Sequence, residues 1–317
     1  MRRLIKRSRH RAELTVILLS AVLSLALWTA TVAVLVALLL VPASWQATEA
    51  ASLLEEFGLF FTVALGPLII LFGRFRRRGL TRAQGVLVGP EQLPGAANFA
   101  VQVAHLAGLR RPPQLVITTA SGPLSDSFGG QGGTVVLHYD LFEICRANGD
   151  YAPLRFAIAR EVGRFALGHH GRWRQLWTFL PSVTQVVRGV LARVEGYSAD
   201  RAGALLQGDA AGDYLTLVAG SKILWAVLRP QALVAQTSQR DLSTWAAIFT
   251  AAVAPVAWRA AALADVVGAQ LPGDRRGVIQ LTYHRFQGDL AAACQAGAAG
   301  RTRRPRGGIF RPPHLPR

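Results

Sequence analysis

No charged residue occurs between positions 14 and 48, and Leu, Val, Ala and Ile fill most of that stretch. About 20 apolar residues cross a bilayer as a helix, because hydrocarbon leaves every backbone polar group to be satisfied within the segment. The run predicts a transmembrane helix at 14–43. A secretory signal is the competing reading, since basic residues come first, but its apolar region is usually about 7–15 residues long. A second uncharged run, 57–73, ends in Arg74, Arg76, Arg77 and Arg78 and predicts a second span kinked at Gly66-Pro67.

Charge orients the pair. Arg2, Arg3, Lys6, Arg7, Arg9 and Arg11 precede the first span, whereas the loop at 44–56 carries Glu49, Glu55 and Glu56 and no Lys or Arg. Positive flanks stay cytoplasmic. The expected topology is a basic cytoplasmic N-terminus at 1–13, a hairpin with a short external loop, and everything beyond residue 78 in the cytosol. The expected location is a bacterial plasma membrane, given a composition rich in Ala, Arg and Gly.

The 317 residues are 51% hydrophobic, which excludes a disordered chain and allows a sizeable core. The net charge of +17 favours contact with anionic lipid. Two cysteines, Cys145 and Cys294, make neither a disulfide framework nor a cysteine zinc site. The tail at 300–317 is rich in Arg and Pro and has no acid, so it reads as a disordered basic segment. With no recognised nucleic-acid domain beside it, lipid is the favoured partner over RNA.

Between the spans and the tail, 79–91 reads as a linker and 92–108 as an amphipathic helix. Strands are expected at 114–120 and 134–142, separated by a glycine-rich turn region at 121–133. A helix is expected at 152–168, a buried or interfacial helix at 175–194, two helices around Gly212 within 197–228, and a packed helix at 242–258.

The helix at 152–168 carries the chemistry. Its AREVGR core (159–164) has the form of a zinc-peptidase helix, in which two histidines at i and i+4 share a metal and the glutamate between is the general base. Here Glu161 is present, but Arg160 and Arg164 stand at both histidine positions. A guanidinium stays protonated and offers no lone pair to a metal. Two guanidiniums do carry the formal charge of one zinc ion, which suggests that they compensate a buried Glu161, with Asp200 as a further partner.

On these residues and their order the segment 92–267 resembles the HtpX-like family of membrane zinc metallopeptidases. Asp126-Ser127-Phe128 resembles the family's turn before its edge strand, and VVLHYDLFEI (135–144) the strand leading to the active helix. AREVGRFALGHH (159–170) resembles that helix, YSADRAGALL (197–206) the later helix with the third ligand, and VAPVAWRAAAL (253–263) the closing segment. The resemblance implies an α+β, mostly helical fold: two membrane helices, then a cytosolic zincin-like domain at 92–270 with a small sheet. It also implies that the third ligand position is Gly196 and that Ala254 stands where the family has a histidine near substrate. His169 matches a non-ligand histidine, and Glu195 lies one residue, a turn of about 100°, from the ligand position and should point elsewhere.

Zinc lowers the pKa of bound water to about 7 and polarises the scissile carbonyl. Glu161 alone does neither, since general-base action contributes about 10²–10⁴-fold against the roughly 10⁶ or more of an enzyme. The expectation is a pseudopeptidase with no cofactor, which binds a protein, such as an active relative, along a groove edge at 134–140.

Rival readings are a peptidase with rearranged ligands, drawn from His138, His169, Glu161 or Glu195, and a basic membrane scaffold. His170 is expected to be exposed. The DSFGGQGG loop (126–133) lacks the Lys-Ser/Thr of a phosphate loop, Cys145 has no histidine near it in sequence, and Tyr139, Trp173, Trp177, Trp245 and Trp258 read as core or interfacial aromatics.

Overall fold

The computed structural model describes residues 1–40, 65, 68–69, 71–73, 75–120, 122–130, 132–183, 185–225, 227–238, 242–243, 246, 251 and 253–267. The expected external loop at 44–56, most of the second span at 57–73, most of 242–252, Trp245, Cys294 and the tail at 300–317 lie outside the described residues.

The chain is mostly helical with one small mixed sheet. Its helices are α1 (Arg2–Arg7), α2 (Arg11–Leu40), α3 (Pro94–Leu106), α4 (Tyr139–Asn148), α5 (Ala152–Leu167), α6 (Arg172–Val183), α7 (Gln185–Gln207), α8 (Ala211–Leu224), α9 (Pro230–Ala235) and α10 (Val256–Ala262). Residues 75–84 are also helical. The strands are β1 (Val86–Val88), β2 (Gln114–Thr118), β3 (Ser125–Phe128) and β4 (Thr134–His138), in the order β1-β2-β4-β3. β1 is antiparallel to β2, β2 parallel to β4, and β3 antiparallel to β4.

α5 is the centre of the molecule. Leu154, Phe156, Ala157, Ile158, Ala159 and Val162 are fully buried, so the helix is apolar nearly all round, as a core helix must be. α7, α8, α4, α3 and the β3–β4 edge of the sheet surround it. Gly168, at φ 77°, caps its C-terminus in the left-handed region and turns the chain toward His169 and His170.

α2 has its polarity inverted. Leu14, Leu18, Leu19, Val22, Leu23 and Leu25 are exposed, while Glu13, Ser20 and Ser24 are buried on the face that meets α6. Spacings of seven and four residues put those three on one side of a helix. Ser24 Oγ donates to the Trp177 carbonyl at 2.6 Å. Within α2, Ala12–Ala30 is long and apolar enough to cross a membrane.

Several expectations need correction. The basic N-terminus at 1–13 packs against the domain, a contact the sequence did not suggest. Ile5 is fully buried in the core, and the His10 amide donates to Ser198 Oγ at 2.9 Å, while Arg2, Arg3, Lys6 and Arg7 stay exposed. The stretch 79–91 is no plain linker, because it holds the end of the 75–84 helix and β1, an apolar Val-Leu-Val run between Gly85 and Gly89.

The strand expected at 134–142 stops at His138, whose Nδ1 accepts from the Asp140 amide at 3.3 Å and so caps α4. Within the expected turn region, Ser125–Phe128 is a strand, and it forms the sheet edge where 134–140 was expected. β4 is interior because Val135 and Leu137 are fully buried, whereas β3 is polar, which suits an edge. α7 runs on to Gln207, and the break falls at Gly208–Ala210 rather than at Gly212. Of the packed helix expected at 242–258, Leu242, Ser243 and Ala246 are helical, and a separate helix, α10, begins after Pro255 at Val256.

Candidate functional site: a buried charge cluster

α5 and α7 approach through small residues. A Cβ at Gly163 would lie 2.7 Å from that of Ala202, and one at Gly203 would lie 3.1 Å from Arg160 Cα. This contact sets the α5 pair Arg160 and Glu161 against Asp200 of α7.

Arg160 Nε donates to Asp200 Oδ1 at 2.7 Å, and Arg160 Nη1 also pairs with Glu161 Oε1. Arg259 of α10 grips Asp200 with two bonds, Nε to Oδ2 at 2.7 Å and Nη2 to Oδ1 at 2.8 Å. Arg164 Nη1 lies 3.4 Å from Glu161 Oε2 and 3.3 Å from Asp126 Oδ1. β3 supplies two hydroxyls at alternate positions, which share one face of the strand. Ser125 Oγ donates to Glu161 Oε1 at 3.0 Å and contacts Tyr214 OH at 3.1 Å. Ser127 Oγ donates to Glu161 Oε2 and meets His170 Nε2 at 2.9 Å.

Glu161 and Asp200 are fully buried, yet both keep their charge. Burial alone would push the Glu161 carboxyl up. Arg160 and Arg164, with the Ser127 and Ser125 hydroxyls, outweigh it and hold the group at about 2. Asp200 is likewise raised by burial but lowered further by Arg259 and Arg160, so its net shift is downward. These partners leave Glu161 no free lone pair aimed at a water.

The residues at the ligand positions do not fit zinc. Arg160 and Arg164 turn protonated guanidiniums toward the carboxylates, where a metal centre needs lone-pair donors. A Cβ at Gly196 would be 3.8 Å from that of Ala254, so these two substituted positions adjoin each other and offer no donor atom. Among the described residues no three His, Cys, Asp or Glu side chains converge as a ligand group.

The alternative ligands have other partners. His138 faces Asp140 at 3.3 Å and His169 Nε2 faces Glu13 Oε1 at 3.2 Å. Glu195 Oε1 accepts from Arg174 Nη2 at 2.7 Å, and its Oε2 lies 3.9 Å from Nη2 of the same Arg164 that faces Glu161. His170, expected to be exposed, is buried against Ser127 and the Phe165 ring.

A second charged cluster joins α2 to this centre. Glu13 is fully buried, 2.7 Å from Arg174 Nη1, with Ser198 Oγ donating to its other oxygen. Burial lowers the His169 pKa, which keeps the ring neutral beside it. Sequence reasoning missed Glu13, Arg174, Ser125, Ser127, Tyr214 and Arg259 as site residues. Two signals were available: a lone acid at the mouth of an apolar helix, and serines two apart on a short strand.

The remaining features are plain. Residues 129–130 and 132–133 lie between β3 and β4, outside both strands. Burial pushes the Cys145 thiol up to about 11, so it is no nucleophile. Trp258 packs on the core, Trp177 is half-buried on α6, and Trp173 is exposed. Tyr139 lies under Lys222, whose Nζ is 5.0 Å from the ring centroid. Comparison with protein-family models, curated proteins and solved structures finds no match.

Proposed function

We propose that this chain is a membrane-anchored pseudopeptidase of the HtpX-like type, which binds protein without cleaving it. One observation carries the reading: guanidinium groups at both ligand positions of the motif helix are committed to Glu161 and Asp200. A scaffold that keeps the general base and its packing, but fills the metal's place with fixed cations, retains a shape and loses a reaction.

The binding surface is the outer edge of β3, which is hydrogen-bonded to β4 on its other side. An extended peptide can add there as a fifth strand. α2 supports an integral membrane location, since its apolar side faces outward and its small polar side faces the domain. In the orientation the flanking charges favour, both termini and the domain lie in the cytoplasm. Exposed Arg2, Arg3, Lys6 and Arg7 would then sit beside anionic headgroups.

Zinc content and casein cleavage of the purified natural chain test the loss of chemistry. The expected result is no stoichiometric zinc and no cleavage. The Arg160→His, Arg164→His, Gly196→Glu triple variant is expected to take up zinc. Stoichiometric zinc in the natural chain, or cleavage abolished by a chelator, would overturn the reading.

A further inference from the structure

The open edge of β3 carries a contact from outside the domain core. Arg77, on the helix at 75–84, pairs with Asp126 Oδ2, and its guanidinium carbon lies 4.8 Å from the centroid of the Phe128 ring. The other Asp126 oxygen faces Arg164 of the motif helix at 3.3 Å. One carboxylate on the edge strand is thus bracketed by two guanidiniums, and a chain of charges runs Glu161–Arg164–Asp126–Arg77. Five residues on from Arg77, Arg82 donates to Gln114 Oε1 with Nη2 at 2.8 Å and Nε at 3.2 Å, at the start of β2. Gln114 pairs through Thr134 with Phe128, and Val116 through Val136 with Asp126, so the helix lies across one face of the sheet, from β2 to β3.

Little else holds it there. Every residue from 75 to 84 is exposed except Thr81, which is half-buried. A segment with no buried apolar face and a few solvent-exposed polar contacts opens at low cost. In sequence the helix follows the second apolar run at 57–73.

We infer that Arg77 is a releasable clasp, which holds the 75–84 helix against Asp126 and Phe128 on one face of β3 and keeps an extended peptide from seating its side chains along that strand until it lets go. This rests on the edge-strand reading above. Asp126 and Phe128 stand two apart on one side of β3, so a single guanidinium covers both side chains that an incoming strand would meet on that side. Release exposes the Phe128 ring, now buried, and frees an acidic side chain next to it.

The test uses the full-length protein in nanodiscs, with fluorescein-labelled β-casein as an extended probe. In a Cys145→Ala, Cys294→Ala background, Arg77→Cys and Asp126→Cys are joined by a reducible bismaleimide. Casein is expected to bind the joined form more than tenfold more weakly than the same sample after reduction, with bound casein protecting amides 125–128 from exchange. Arg77→Ala alone, at an exposed position, is expected to tighten binding threefold or more. Equal binding before and after reduction overturns the clasp and leaves the edge reading intact. If no form binds casein at 125–128, the edge reading and the clasp fall together.

Discussion

Glu161 sits fully buried and ionised, a state that would be prohibitive for a lone carboxylate. Its charge survives because Arg160 and Arg164 reach it and β3 turns two hydroxyls onto it. The consequence is a pH dependence. Glu161 is depressed in the folded chain from 4.5 to about 2, and Asp200 is depressed as well. The unfolded chain therefore binds the proton first on acidification, and stability present above about pH 5 is lost as pH falls toward 2. Burial also holds His10 at about 4 and His169 below 6.5, so acid acts on them in the same sense, from about pH 6.5 downward. The thermal midpoint, followed by tryptophan fluorescence, should be level from about pH 7 to 8, decline gently below 6.5 and drop steeply below 4.5. The Glu161 term alone is of the order of 3 kcal/mol. A midpoint unchanged from pH 7 to pH 3 would show that these carboxylates are not charged as described.

At the scale of elements, the α5–α7 contact decides whether the charged groups meet. Two glycines there carry opposite expectations. Gly163→Ala places a methyl 2.7 Å from the Ala202 Cβ, so the helices must part, at about 1–3 kcal/mol. Gly196→Ala meets nothing nearer than the Ala254 Cβ at 3.8 Å and lies inside a helix, where alanine is favoured by up to about 1 kcal/mol. Denaturation midpoints of the two variants should move in opposite directions. The elements with a strong local signal were legible in sequence: the apolar α2, the 3.6-residue pattern of α3, the Pro and Gly that bound α5. The pairing of Arg160 and Arg164 with carboxylates was also legible, since an i, i+3 partner and a charge count require no fold. The β3 edge was not. Ser-Asp-Ser between glycines has turn composition, and only pairing with β4 and burial against Glu161 make it a strand. The end of β4 was hidden for a similar reason, because Tyr-Asp-Leu-Phe alternates like a strand until His138 caps it as a helix.

For the whole molecule, the +17 charge bears on partners, and four of its cations stand exposed on one docked helix. Ile5 anchors α1 in the core, which fixes Arg2, Arg3, Lys6 and Arg7 at the surface a few residues before the Ala12–Ala30 stretch enters its apolar run. Cations held on a docked helix lose less freedom on meeting a headgroup than cations on a free tail. Each is worth about 1 kcal/mol near an anionic surface, so four together outweigh most single contacts in the chain. The same charges on a soluble partner surface would be indifferent to lipid. The thermal midpoint in nanodiscs of mixed phosphatidylglycerol and phosphatidylcholine should exceed that in phosphatidylcholine alone. Replacing Arg2, Arg3, Lys6 and Arg7 with Ala should remove most of that difference, as should about 0.5 M salt, where screening leaves only the nearest contacts. If the quadruple variant keeps the full difference, the lipid contacts lie elsewhere, and α1 serves only to pack Ile5 and lead the chain into α2.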